Sequence, residues 1–251
     1  MISGGLRTKG ITKQSKKNIP LITIITVVRN GEKTLEQTIL SVINQTYGNI
    51  EYIIIDGVSV DGTLNIIKKY EDKIDYWISE PDKGIYDAMN KGIGLAAGEY
   101  IALLNSDDWY ELNACEIIVN KINEKDADVY YGMMRVIKNE ALFFIVGYTE
   151  QLLSQFMIPH QACFVKNSIY KIYQYDIKYK VVADHDFMIR LKNNNCKFYF
   201  VECIIGNYRA GGISDSRLRK IEMNSILRKY RFISYFKYFC IKIYLYLFEE
   251  A

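Results

Sequence analysis

The chain has 251 residues, 49% of them hydrophobic, enough for one large domain with a filled core. Its net charge of +3 is unevenly spread: residues 1–20 carry +5 and residues 228–251 carry +3, which leaves −5 for residues 21–227. An acidic body between basic ends argues against a nucleic-acid reader, whose cations cover a face of the folded domain, and fits a protein whose ends meet an anionic surface.

Residues 1–19 are polar and basic without a helical or strand period, and are expected to form a loose arm that Pro20 closes. Leu21–Val28 is apolar and β-branched, a first buried strand. Asn30-Gly31 breaks it, and Leu35, Ile39, Val42 and Ile43 recur at helical spacing. Glu51–Asp56 is a second strand ending in a carboxylate; Asp61 or Thr63 caps a second helix. Tyr76–Ile78 is a short third strand. Ile85, Ala88, Met89, Ile93 and Ala96 mark a helix that Gly98 stops. Tyr100–Leu104 is a central buried strand running into Asn105, Ser106, Asp107 and Asp108. Acids therefore follow successive strands: Asp56, then Asp82 or Asp87, then Asp107 and Asp108. In an open α/β sheet that rim is where ligands bind. Two adjacent carboxylates there need a counter-charge, which a hard divalent cation supplies while also holding phosphates; an Asp-rich turn capping a helix near Trp109 is the alternative.

Asp128–Gly132 reads as a strand. Residues 133–157 are mixed and aromatic, and their Met133, Met134, Phe143, Phe144 and Phe156 are expected mainly in the core. His160-Gln161 precedes an apolar run, Ala162–Val165. Val182-Ala-Asp-His-Asp-Phe-Met-Ile-Arg190 places Asp184 and Asp186 at a helix start, with Asp186 and Arg190 spaced to pair. His185 has no assigned role. Lys197–Val201 is a last strand, and Gly211–Asp215 a loop. Residues 216–248 are helical in pattern. Residues 230–248 hold nine Tyr/Phe, and Arg228, Lys229, Arg231, Lys237 and Lys242 lie among or beside them, a composition suited to a lipid headgroup layer. Packing on the domain or on a second subunit is the alternative. The five cysteines are odd in number and widely spaced, so neither a disulfide framework nor a zinc site is expected, and a reducing cytoplasm is the simplest setting. Neither a secretory signal nor a spanning helix is expected.

The segments Thr26-Val-Val-Arg-Asn30, Ser41-Val-Ile-Asn-Gln-Thr-Tyr47, Ile55-Asp-Gly-Val-Ser-Val-Asp-Gly-Thr63, Asn90-Lys-Gly92, Gly98-Glu-Tyr-Ile101 and Asn105-Ser-Asp-Asp108, in this order, resemble the family 2 glycosyltransferases of GT-A fold. The resemblance is continuous over about residues 21–110 and weaker to about 215. It implies a mostly parallel central sheet flanked by helices, with the GT-A domain at 20–215, the arm at 1–19 and a basic aromatic tail at 216–251. It implies a nucleotide-sugar donor, most simply a UDP-sugar, and a divalent cation, Mn²⁺ or Mg²⁺, at Asp107 and Asp108. Donor contacts fall on Val28, Asn30, Asp56 (as reader of the base), Asn90, Asn105, Ser106 and Asp107. Asp184 matches the base of an inverting transfer, and His160 and Asp186 stand near acceptor or pyrophosphate. The expected acceptor is a saccharide or a lipid-linked saccharide of a surface polysaccharide, met by a cytoplasmic protein peripheral to the inner face of the plasma membrane. The sequence departs from the family at Asn105, where Asp is usual, at Arg29, where Tyr is common, and at Ala183, which replaces Glu. A sugar-phosphate nucleotidyltransferase would need a longer glycine-rich loop than Val27–Gly31, whereas Asn105 also suits a degenerate donor-binding protein without turnover.

Overall fold

The computed structural model describes residues 1–212 and 216–247. Its described residues form a ten-stranded mixed sheet: β1 (Ile2–Gly4), β2 (Ile22–Val28), β3 (Ile50–Asp56), β4 (Tyr76–Ser79), β5 (Tyr100–Asn105), β6 (Trp109–Tyr110), β7 (Val129–Lys138), β8 (Ala141–Val146), β9 (Cys163–Lys166) and β10 (Phe198–Arg209). The strand order is β1-β4-β3-β2-β5-β9-β7-β10-β6, with β8 added to β7. β2, β3 and β5 are apolar on both faces because helices cover both, as parallel strands require. Register decides where the site falls. Val28 pairs with Asp56, Asp56 with Ser79, and Val27 with Asn105, so the carboxyl ends of four parallel strands share one rim.

Alternation along the strands sends side chains into two cores. Ile25, Ile53, Ile55 and Leu103 pack with α3 (Ile85–Leu95) and α6 (Ala183–Asn193) through Met89 and Phe187. Ile22, Ile24, Ile54 and Leu104 pack with α1 (Leu35–Ile43) and α4 (Ala114–Glu124) through Leu35, Ile39 and Ile118. Gly92 lets α3 lie close on the sheet, since a Cβ there would meet Ile25. The remaining helices are α2 (Thr63–Lys69), α5 (Asn167–Tyr170), α7 (Arg217–Lys229) and α8 (Tyr235–Leu247).

Several expectations change. Residues 1–19 are not loose. β1 adds antiparallel to β4, Arg7 bonds Glu51 and the Leu95 carbonyl, and Lys13 reaches Asp75 at 2.8 Å. Glu51 and Asp75 are buried and need counter-charges, so two of the five cations of the basic end serve the fold rather than an outside surface. Trp109–Tyr110 is a strand, and the helix expected there starts at Ala114. β7 and β10 run well past their expected ends because each gives the other a parallel partner. Phe143, Phe144 and Phe156, expected in the core, are 62%, 45% and 41% exposed. The tail is two helices, joined where Arg217 donates to the Leu245 carbonyl and Asn224 to that of Tyr238.

Candidate active site

At the rim a polar cavity of about 420 Å³ opens between the β2–α1 turn and the end of β10. Asn30, Gly31, Glu32, Lys33, Thr34, Asp61, Asp107, Arg209 and the backbone of 210–212 line it. Asn30 takes a left-handed φ of 55°, which Asn tolerates. Its N–H donates to Ser59 Oγ at 2.7 Å and its Oδ1 accepts from Val60 N–H at 2.9 Å, joining the turns after β2 and β3. The cavity thus faces the amino end of α1, where the helix dipole favours an anion. Gly211 and Gly212 of the expected Gly211–Asp215 loop line it, and residues 213–215 lie outside the described residues.

Asp56 is in the expected place but not in the expected state. It is fully buried, and its oxygens accept from Ser59 N–H, from Ser59 Oγ and from Ser79 Oγ, the last two at 2.5 Å. These bonds hold the following turn, in which the β-branched Val58 adopts a strained φ of 58°. Asp82 is the more accessible carboxylate beside it. A Cβ at Gly57 would collide with Asp82 Oδ2, so Asp82 fills the place of a side chain at 57, while its Oδ1 accepts from Gly84 N–H at 2.8 Å. Asn90 is also differently engaged: its amide donates to and accepts from the Tyr175 backbone at 2.9 and 3.0 Å, anchoring the segment before α6.

The two acids after β5 have unlike environments. Asp108 is buried and accepts from Arg209 N–H at 3.0 Å and Gln161 Nε2 at 2.8 Å. Burial, then the neighbouring Asp107, pushes its carboxyl up to about 7. Asp107 lines the polar cavity, and burial raises it too. Among the described residues no group of three or more His, Cys, Asp or Glu side chains forms a metal cluster. The expected pair of ligands is therefore reduced to Asp107, with Asp108 engaged inside the fold. Asn105 Oδ1 is buried and without a partner beside them, so one carboxylate and one orphaned amide oxygen are available. That set fits a hard cation which takes its other ligands from phosphate and water.

On the other side of β5 lies a mostly apolar cavity of about 560 Å³, walled by Met134, Val136, Phe143, Phe144, Met157 and Ile158. His160, Tyr86, Asp184 and Asn105 also line it, and Ala210 lines both cavities. Asp184 opens α6 and is buried. Its Oδ1 accepts from Tyr86 OH and its Oδ2 bonds His160 Nδ1, both at 2.8 Å. Burial pushes Asp184 up, but its bonds to His160 and Tyr86 help to hold it below the usual carboxylate range. Lys138, Lys180 and Arg219 also line this cavity, and none is paired with a carboxylate among the described residues.

Asp186 does not join this group. It is fully buried and binds Arg190 at 2.9 Å, Lys229 at 2.6 Å and Tyr230 OH at 2.9 Å, and it lines neither cavity. Val28 caps β2 and accepts from Gly57 N–H, and Ser106 lies beside Gly31. Tyr86, Arg209, Lys180 and Arg219 had no signal in the sequence. Tyr86 looks like one more apolar position of α3, and the others come from segments distant in the chain. Glu222 of α7, which accepts from the N–H groups of Lys180 and Val181, is another such residue, shaping the approach to α6.

The parallel half of the mixed sheet brings a polar cavity and one holding a buried carboxylate–imidazole pair to its carboxyl rim, where open α/β folds bind their ligands. The chain belongs to glycosyl transferase family 2, whose profile matches residues 23–190. An uncharacterized glycosyltransferase of Mycobacterium tuberculosis is 31% identical over 209 residues, 79% of this chain and 78% of that protein. A PGL/p-HBAD biosynthesis glycosyltransferase of Mycobacterium bovis is 31% identical over 211 residues, 80% of this chain and 82% of its own. Among solved structures, Staphylococcus aureus TarS 1–349 in complex with UDP-GlcNAc has a TM-score of 0.70 at 16% identity over 82% of this chain, which spans 65% of that one. A mannosyltransferase from Pyrobaculum calidifontis in complex with GDP-Man and Mn²⁺ has a TM-score of 0.64 at 14% identity, over 91% of this chain and 70% of that one. No helix among the described residues is long and apolar enough to cross a membrane.

Proposed function

We propose that the protein transfers a sugar, with inversion, from a nucleoside-diphosphate donor to a hydroxyl of a lipid-carried saccharide in the synthesis of a surface polysaccharide. The observation that carries this reading is that the polar and apolar cavities share Ala210, with Asp107 in the wall of the first and Asn105 in the wall of the second. The polar side takes the donor. Its diphosphate faces the amino end of α1 and Arg209, and Asp82, rather than the saturated Asp56, is the carboxylate open to a base N–H. A divalent cation would be held by Asp107 with Asn105 Oδ1, and when bound it stabilises negative charge on the departing diphosphate. The apolar side takes the acceptor, whose hydroxyl loses its proton to the Asp184–His160 pair on the face opposite the leaving group. An acceptor with an apolar chain and an anionic linkage suits the Phe143–Phe144 wall and the cations Lys138, Lys180 and Arg219.

The exposed face of α8, with Tyr235, Phe236, Phe239 and Tyr244 each more than half exposed, supports docking on the inner face of the plasma membrane. UDP is the first donor to test, since TarS has been solved with UDP and UDP-GlcNAc. Titration calorimetry of UDP with Mn²⁺, and again with EDTA, tests the donor site. Binding that needs the metal is expected. Absence of binding by UDP, GDP, dTDP and CMP in both conditions would reject the reading.

A further inference from the structure

We infer that His160 Nε2, rather than an oxygen of Asp184, is the atom that takes the proton from the acceptor hydroxyl, with Asp184 positioning the ring. This assignment rests on the transferase reading above.

Both oxygens of Asp184 already have donors, Tyr86 OH and His160 Nδ1, each at 2.8 Å. An ionised carboxylate only accepts, so the hydrogen between Asp184 and the ring sits on Nδ1. In its base form such a ring carries its lone pair on Nε2. That atom is buried and has no partner, and His160, only 8% exposed, lines the apolar cavity. A buried polar atom without a partner needs an explanation, and an acceptor hydroxyl supplies the missing donor.

The surrounding elements fix the ring. His160 opens a short turn ahead of β9, and β9 pairs antiparallel with β5, Ala102 opposite Phe164. The next residue, Gln161, donates to Asp108 Oδ2 at 2.8 Å, which ties the ring to the donor side of the sheet. The other histidine, His185, is buried with its pKa lowered by burial, and it lines neither cavity.

In the step, the acceptor O–H bond breaks and its proton bonds to the Nε2 lone pair. The acceptor oxygen forms the bond to the anomeric carbon. The bond from that carbon to the diphosphate breaks, its electron pair leaving with the diphosphate oxygen. Asp184 faces the resulting imidazolium at Nδ1, the arrangement that orients and stabilises a general-base histidine in other hydrolytic and transfer sites.

With only two histidines, ¹⁵N-histidine labelling gives a readable long-range ¹⁵N–¹H spectrum, assigned with a His185→Gln variant. The expected result, at a pH where the ring holds a single proton, is the tautomer with its hydrogen on Nδ1 and a bare Nε2; the Nε2–H tautomer instead overturns the assignment, whatever the substrate. Turnover is read as UDP release from UDP-sugars with octyl glycosides as probe acceptors. His160→Gln should lower kcat by about 10²–10⁴-fold with UDP affinity and acceptor KM nearly unchanged, and added imidazole should partly restore a His160→Gly variant. A His160→Gln enzyme within about threefold of wild type would return the role to Asp184. Failure of the wild-type protein to bind any nucleotide would instead reject the transferase reading, and the ring's protonation is measured without nucleotide.

Discussion

Lys229 Nζ stands 2.6 Å from Asp186 Oδ1, joining α7 to the helix that presents Asp184. With Arg190 and Tyr230 on the same carboxylate, this junction seats the C-terminal helices against the acceptor side of the domain. Asp186→Ala leaves two cations around an empty buried position and should cost about 3–5 kcal/mol in denaturant unfolding. Lys229→Met, at a partly exposed side chain, should cost about 1 kcal/mol. UDP affinity should stay within about twofold for both. An Asp186→Ala protein of native stability that no longer binds UDP would return Asp186 to the site.

Asp56 and Asp82 should separate cleanly. Asp82→Asn removes a charged acceptor from the rim and should weaken UDP binding by about 10-fold, the effect of a charge-assisted hydrogen bond of about 1.5 kcal/mol, with little change in melting temperature. Asp56→Ala strips Ser59 and Ser79 of their partner and releases the Val58 turn, so it should lower the melting temperature first. Calorimetry and thermal melts on the two variants distinguish these outcomes; weaker UDP binding by a stable Asp56→Ala protein would restore Asp56 as the reader of the base.

Asp107 should dominate the metal response. In Asp107→Asn the gain in UDP affinity from Mn²⁺ should fall by at least about 10-fold, while binding in EDTA stays near wild type. An unchanged metal response would move the cation elsewhere.

Asp108 predicts a pH dependence of stability. Its folded value of about 7 lies above the ordinary value of 3.8. Between these two the folded protein holds a proton that the unfolded chain has released, so stability falls as pH rises through that window. Asp108→Asn has no such charge. The melting temperature of the variant relative to wild type should therefore climb from pH 4 to pH 7.5. A flat difference would show that Arg209 N–H and Gln161 keep Asp108 ionised throughout.

Phe143→Ser with Phe144→Ser changes exposed side chains on the outermost strand, β8, so folding and UDP binding should be preserved. For acceptors of increasing alkyl length, KM should rise most for the longest chain, by about 10-fold, as two apolar contacts are lost. Equal effects on all chain lengths would show that the wall does not bind the acceptor's apolar part.

The central half of the sheet was legible because β2, β3 and β5 are unbroken apolar runs of strand length, each closed by a turn or a carboxylate. The i, i+4 pair of Asp186 and Arg190 was legible for a similar reason, being local. The extended β7 and β10 were not, since their outer halves are mixed in character and are strands only because each pairs with the other. Phe143 and Phe144 were misjudged because hydrophobicity reports a preference for burial, whereas exposure depends on what a neighbouring element leaves uncovered.

By itself the sequence determined the family, the order of the central strands and helices from β2 to β5, and the placing of Asp56, Asp107 and Asp108 after strand ends. Only the tertiary structure decided which of these groups are free to act. Asp56 and Asp108 are saturated by Ser59, Ser79, Gln161 and the Arg209 backbone, Asp107 is left open, and His160 turns one nitrogen to Asp184 and leaves the other unpartnered. The physical reason is that a side chain's residue type sets its chemistry, whereas its free hydrogen-bonding capacity depends on partners brought from distant segments by packing.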